Sequence, residues 1–381
     1  MNLADSFVID LHIVCLLMFW LLHKKEELVK INSVICIIRV CEKGESMGII
    51  LDIVFLLIGF LFLIRGADYF VDGSCAIAKK LKIPSIVVGL TIVAMGTSLP
   101  ELAVSSFAAA KGANAIAVSN VIGSNIFNAL MVLGVTALFI TINVNKSVLR
   151  REMPFLVGIT LLTIFVTGDA LWFGGIIGTI NIFDFKYGNE IVGTVERIDG
   201  IMLLVLFVGF ICWTVSYALK ERENVPEEAE EAEWSNGKCA LYIIGGVVII
   251  AVGGEYVVNC AKSLALAMGM SETLVGLTVV ALGTSLPELV TSAVAGRKGE
   301  GDIAVGNVVG SNIANILLVL GLSATISPIK VTAMSFIDTM VSLVVTIVVF
   351  VVAGTKKSIK RGEGLFLILI YLGYMAYIIF R

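Results

Sequence analysis

The sequence predicts an all-α polytopic membrane protein of ten spans, arranged as two inverted halves of five with kinked helices at the centre. Three observations carry this expectation. Of the 381 residues, 58% are apolar and 15% are charged, against about 45–50% and about 25% in an ordinary soluble domain. Apolar stretches of about 20 residues recur along the chain, each long enough to cross ~30 Å of hydrocarbon. A 48-residue segment occurs twice, at 89–136 and 276–323, and an odd number of predicted spans separates the copies.

The elements follow in order. Residues 7–22 (FVIDLHIVCLLMFWLL) are apolar enough to insert, yet they contain Asp10 and His12 and follow Asp5 rather than a basic flank. They do not read as a cleaved signal. Residues 1–46 stand as an amino-terminal extension, either one additional span or the product of a start codon upstream of Met47. From Met47 the predicted spans fall at about 47–65, 83–110, 115–140, 153–168, 199–219, 239–261, 271–296, 302–326, 332–353 and 364–380. The first five form one half (47–219) and the last five the other (239–381). Between them, residues 220–238 hold seven glutamates and Pro226. This linker reads as a solvated hinge, because it lacks the spaced Gly and Asn of a calcium-binding loop. Residues 169–198, with Trp172 and several glycines, read as a connection lying at the membrane interface rather than an eleventh span.

Alternating the connections between two sides collects fifteen Lys and Arg on one, among them Lys79, Lys80, Lys82, Arg150, Arg151, Arg297, Lys298 and Lys356. Six remain on the other: Lys111, Lys186, Arg197, Lys262, Lys330 and Arg381. The bias places the first side in the cytoplasm, with the acidic linker, and Met47 and Arg381 outside a plasma membrane that the chain crosses many times. A net charge of −3 argues against a nucleic-acid partner. Seven cysteines without a CxxC pair and two histidines confined to the extension indicate neither a disulfide framework nor a zinc cage.

The duplication is specific. GLTIVAMGTSLPELAVSSFAAAKGANAIAVSNVIGSNIFNALMVLGVT and GLTVVALGTSLPELVTSAVAGRKGEGDIAVGNVVGSNIANILLVLGLS align without a gap and agree at 30 of 48 positions. The offset is constant, since 288 − 101, 311 − 124 and 315 − 128 all equal 187. The copies are offset by five spans, an odd number, so the second enters the membrane with the opposite sense, and inverted copies of this kind build transporter sites near the bilayer midplane. Each copy holds GTSLPE inside an apolar span, and a mid-span glutamate costs about 2.5–3.5 kcal/mol on insertion scales. Pro100 and Pro287 lack an amide hydrogen and clash with the carbonyl one turn back, so each helix should kink and release backbone oxygens. Helical spacing sets Thr97 and Ser98 beside Glu101, with Ala94 about two turns back. Each GSNIxN element adds a four-spaced polar stripe: Asn120, Ser124 and Asn128, then Asn307, Ser311 and Asn315. Small residues at that spacing also serve helix packing, but packing needs no carboxylate. Arg65, near one span end, is the single candidate base for the two acids.

Two Glu, Asn, Thr, Ser and released carbonyls, with no His or Cys in either motif, suit hard cations such as sodium and calcium rather than zinc, copper or iron. Two carboxylates neutralise one calcium, and the same oxygens can hold sodium ions in turn. Magnesium, which keeps its waters and wants a strict octahedron, fits less well.

The paired GTSLPE and GSNIxN segments resemble the alpha-repeats of the cation/calcium exchanger superfamily, specifically its prokaryotic sodium/calcium exchanger branch. The resemblance implies a sodium/calcium antiporter, a secondary active transporter and not an enzyme, that exchanges three sodium ions for one calcium without a cofactor. It implies Glu101 and Glu288 as the calcium carboxylates and Thr97, Ser98, Thr284, Ser285, Ser124 and Ser311 as supporting ligands. It further places Asn128 and Asn315 at the centre and Ala94 and Ala281 as carbonyl donors, and likens the spans starting near 47 and 239, with matched Asp68 and Glu255, to a sliding pair. The chain departs from several family members by carrying Asn in both copies where they have one Asp, which weakens any potassium or proton role at that position. Proton/calcium exchange on the same scaffold is the close alternative. A cation channel is the alternative of another class, disfavoured because conduction needs weak open sites rather than an inverted pair of kinked acidic helices. An intramembrane protease fails for want of a histidine or a second acid in the appropriate setting.

Overall fold

A computed structural model describes residues 45–169, 190–222, 234–268 and 281–380. The extension, most of the acidic linker and most of the 169–198 connection lie outside the described residues. The helices are α1 (Glu45–Leu81), α2 (Ser85–Thr97), α3 (Leu99–Ala110), α4 (114–139), α5 (148–167) and α6 (Arg197–Arg222), then α7 (Asn236–Ala267), α8 (Ala281–Gly283), α9 (Leu286–Arg297), α10 (Gly301–Ile326), α11 (Ala333–Lys356) and α12 (Arg361–Phe380).

Nine of the ten predicted spans fall on helices, and the tenth, 271–296, lies partly outside the described residues; the count of ten is not confirmed. Among the described residues, seven helices are long and apolar enough to cross, or eight if the bent pair α2–α3 is one span. The difference lies in the 153–168 span, whose regular helix Met153–Thr167 has 15 residues, and in the 271–296 span, which is described only from Ala281.

Burial sorts the helices into an inner and an outer set. The apolar windows of α4 and α10 are 78% and 94% buried, whereas those of α1 and α12 are each 17% buried and turn residues such as Ile53, Leu57, Leu369 and Leu372 outward. Such exposed apolar faces are what lipid covers. α1 runs for 37 residues, well past the expected end at 65, because Asp68 and Asp72 interrupt its apolar run without breaking the helix. It packs along α7, where Gly59 and Gly66 face Gly253 and Gly246; a Cβ on Gly66 would lie 2.8 Å from the Ile250 amide nitrogen. Close backbone approach through glycine is a common way for membrane helices to associate.

The predicted kink is present. α2 ends at Thr97 and α3 starts at Leu99 with Pro100 in its first turn, and the two are bent by 47°. In the second copy the helix likewise breaks between Gly283 and Leu286, with Pro287 in the first turn of α9. Features that the sequence did not predict are the π-helical turns Gly89–Val93, Asn128–Val132, Val148–Glu152 and Asn315–Leu320. Two short antiparallel ribbons also depart from an all-helical plan. β1 (Ile142–Asn143) pairs with β4 (Ser358–Ile359), and β2 (Ile191–Val195) with β3 (Ile329–Thr332). β1 and the start of β3 are equivalent positions of the two halves, since 329 − 142 is 187, so corresponding segments tie the bundle at each end. The described end of the 169–198 connection is therefore a strand, with Asp169 accepting a hydrogen bond from the Thr194 amide at 2.9 Å.

α10 lies against α2 at glycines. A Cβ on Gly310 would sit 2.6 Å from the Leu90 carbonyl oxygen and 2.7 Å from the Ala94 Cβ. Because backbone must move to admit it, Gly310→Ala will destabilise the protein by about 1–3 kcal/mol, the usual cost of overpacking. A fall in the thermal midpoint of detergent-solubilised protein checks this, and an unchanged midpoint would show that the α2–α10 contact is loose.

Candidate cation-binding site

The broken helices bring the two acids into the interior. Glu101 lies in the first turn of α3 and Glu288 in the first turn of α9, both with no exposed surface. The start of a helix, with its unpaired amides and positive dipole end, is a favourable place for a carboxylate. The kink needed to bend each span thus also creates the helix start on which its glutamate sits.

Each glutamate is held from the opposite copy. Ser285 donates to Glu101 Oε1 at 3.0 Å, and Ser98 donates to Glu288 Oε1 at 3.2 Å. Glu101 Oε1 accepts a second bond from Ser124 at 3.3 Å, and Ser124 and Ser285 are themselves 2.9 Å apart. The serine of each GTSLPE motif therefore serves the other motif's acid, whereas helical spacing alone set it beside its own. Thr97 also reaches across, donating to Asn307 Oδ1 at 3.0 Å, and Thr284 donates to Asn120 Oδ1 at 3.3 Å. Ser311 donates to the Ala94 carbonyl at 3.4 Å. Ala281, the equivalent of Ala94, opens the described part of the second broken helix.

Asparagines fix the frame. Asn120 Nδ2 bonds the Glu101 carbonyl and Ser105, and Asn307 Nδ2 bonds the Glu288 carbonyl and Ser292, at 2.9–3.4 Å. Asn125 Nδ2 donates to the Asn312 carbonyl and Asn312 Nδ2 to the Asn125 carbonyl, both at 3.2 Å. This reciprocal pair joins α4 of the first half to α10 of the second. Sequence reading missed Asn125, Asn312, Ser105 and Ser292, because Asn125 and Asn312 fall off the four-residue stripe; the signal that finds them is their 187-residue offset.

Among the described residues, the buried oxygens without a hydrogen-bond partner include Glu101 Oε2, Glu288 Oε2, Asn128 Oδ1 and Asn315 Oδ1, with Asn312 Oδ1 beside them in the second motif and Glu152 Oε2 elsewhere. The first four belong to the four positions the sequence marks as central. Leaving a buried acceptor unpaired costs about 1–3 kcal/mol, and more for a charged one, so four in one cluster of motifs is a donor set that suits a cation. Asn128 and Asn315 each stand at the start of a π-helical turn, a local widening frequent at functional sites. The two are not equivalent in detail, since Asn315 Nδ2 donates to Asn125 Oδ1 at 3.1 Å while neither side-chain atom of Asn128 has a partner. No Lys or Arg among the described residues forms an ion pair with either glutamate, and Arg65 is exposed on α1.

A polytopic helical protein with two inverted motif copies that aim carboxylates and amides into its core belongs to the transporters rather than the enzymes. The chain is a member of the sodium/calcium exchanger family: the family model for sodium/calcium exchanger proteins matches residues 51–216 and 238–380. It is 35% identical over 336 residues to the putative antiporter CaxA of Alkalimonas amylolytica and 33% identical over 344 residues to the sodium/calcium exchanger MaX1 of Methanosarcina acetivorans. Each alignment covers 86% of this chain and 98% of the relative. Among solved structures it is similar to the sodium–calcium exchanger NCX_Mj soaked with sodium and strontium, with a TM-score of 0.70 at 30% identity, covering 86% of this chain and 99% of that one. The membership makes the protein a multi-pass membrane cation/calcium exchanger.

Proposed function

We propose that the chain is a sodium/calcium antiporter whose single shared site, built from Glu101, Glu288, Asn128 and Asn315, binds calcium and sodium alternately. The observation that carries this reading is the set of four unpartnered buried oxygens on those residues, two of them on carboxylates whose combined charge balances one calcium. Thr97, Ser98, Thr284, Ser285, Ser124 and Ser311 supply neutral oxygens, with the backbone of Ala94 and Ala281. These neutral donors suit sodium as a counter-ion when calcium leaves. The scaffold is a ten-span inverted repeat in the cell membrane, with the ends of the ten-span unit outside and the acidic linker in the cytoplasm; the bias of basic residues supports this orientation.

The test is calcium uptake into vesicles containing the protein. An outward sodium gradient will drive uptake, and a proton gradient of equal size at zero sodium gradient will not; uptake driven by protons alone would favour proton/calcium exchange. Exchange of three sodium ions for one calcium moves one charge per cycle, worth ~2.3 kcal/mol per 100 mV, so clamping the potential will alter uptake. Insensitivity to potential would indicate two sodium ions per calcium.

Because Asn occupies both central positions, the site lacks a third carboxylate for an additional monovalent ion. Replacing potassium by choline at fixed sodium and calcium will leave uptake within a factor of about 2, since no charge-balanced potassium ligand is lost. Abolition of uptake in choline would contradict this.

A further inference from the structure

Away from the site, Lys298 in the turn after α9 reaches to α1. Its Nζ lies 2.7 Å from Asp72 Oδ1 and 3.3 Å from Asp68 Oδ1, and it donates to the Asp68 carbonyl at 3.0 Å. It thereby ties the peripheral α1–α7 pair to the element that carries Glu288. The inverted repeat places an equivalent set on the other side of the membrane. Subtracting 187 from 298 gives Lys111, in the turn after α3, and adding 187 to 68 and 72 gives Glu255 and Asn259 on α7. Lys111 and Glu255 are both exposed, and they form no ion pair among the described residues. One of two related contacts is made and the other is open.

In an inverted-repeat transporter the two halves can exchange conformations, so that each side closes as the other opens. We infer that Lys298–Asp68/Asp72 and Lys111–Glu255 are alternating ionic latches, the first holding the cytoplasmic side closed and the second forming on the outer side when the site faces inward. This inference rests on the transport reading above. The two latches are unequal, because Asn259 replaces the second acid. The cytoplasmic latch is therefore the stronger, biasing the resting protein toward the outward-facing state. Partly exposed ion pairs are individually weak, so the bias from one additional acid is on the order of 1.5-fold to fivefold in the ratio of states. That is sufficient to set a resting preference and small enough to be overcome in each cycle.

Hydrogen–deuterium exchange of the full chain in lipid nanodiscs tests this without requiring any transported ion. Lys298→Ala will slow exchange of the amides at 111–113, on the opposite side of the membrane, while speeding it at 297–300. Asp72→Asn will act in the same direction. Lys111→Ala will slow exchange at 297–300, although Lys111 makes no ion pair in the structure described. Effects confined to the neighbourhood of each substitution, or no effect at the distant turn, would overturn the inference. Sodium-driven calcium uptake by the unaltered chain decides the exchange reading separately, so failure of either is recognised by its own measurement.

Discussion

Glu101→Gln and Glu288→Gln will each reduce sodium-driven calcium uptake to the level of protein-free vesicles. Gln keeps the size of the side chain and an oxygen able to accept the bonds that Ser285 and Ser124 give to Glu101, and Ser98 to Glu288. It removes one of the two charges proposed to balance calcium, at positions with no exposed surface. Leaving a buried charge without its partner costs about 3–5 kcal/mol, which is on the order of a hundredfold to several-thousandfold in affinity. The folded protein will not suffer, because an uncharged amide is less costly to bury than a carboxylate. Uptake and thermal midpoint should therefore separate: transport lost, midpoint equal to or above that of the unaltered protein. Near-normal uptake in either variant would remove the carboxylate pair from the site.

The asparagine pair at the junction of the halves gives the second large effect. Asn125→Ala or Asn312→Ala leaves the opposite residue's carbonyl without its side-chain donor, a loss of about 1–3 kcal/mol. The two variants will not be equal. Asn125 also accepts from Asn315, so Asn125→Ala frees a proposed ligand and will weaken calcium binding as well as stability. Asn312→Ala will mainly lower the thermal midpoint. The double variant will cost less than the sum, because both bonds join the same two turns. Thermal midpoints and calcium titrations on the four proteins check this, and strict additivity would show that the residues act separately.

The repeat made much of this architecture legible before any coordinates. A glutamate inside an apolar span required compensation, and a proline one residue before it required a kink; the bend at Ser98 and the helix starts at Leu99 and Leu286 follow from those two facts. The depth of burial of Glu101, Glu288, Asn128 and Asn315 follows from the same pattern. What one strand of sequence could not show is which copy serves which. Helical periodicity relates Ser98 to Glu101 because they share a helix face, yet the break at Ser98 ends that periodicity and turns its hydroxyl to Glu288. Nor do the π-helical turns that begin at Asn128 and Asn315 carry a residue signature that hydrophobic periodicity could register. The ribbons escaped notice because strands of two to five residues are too short for alternation to register.

A single site occupied by either ion is tested most directly by calcium titration of the purified chain at several sodium concentrations. One calcium per chain will bind, sodium will weaken that binding progressively, and the displacement will rise more steeply than first order in sodium, as expected if several sodium ions replace one calcium. Calcium binding that is unaffected by sodium, or that persists in the Glu101→Gln/Glu288→Gln double variant, would contradict a shared site at these residues.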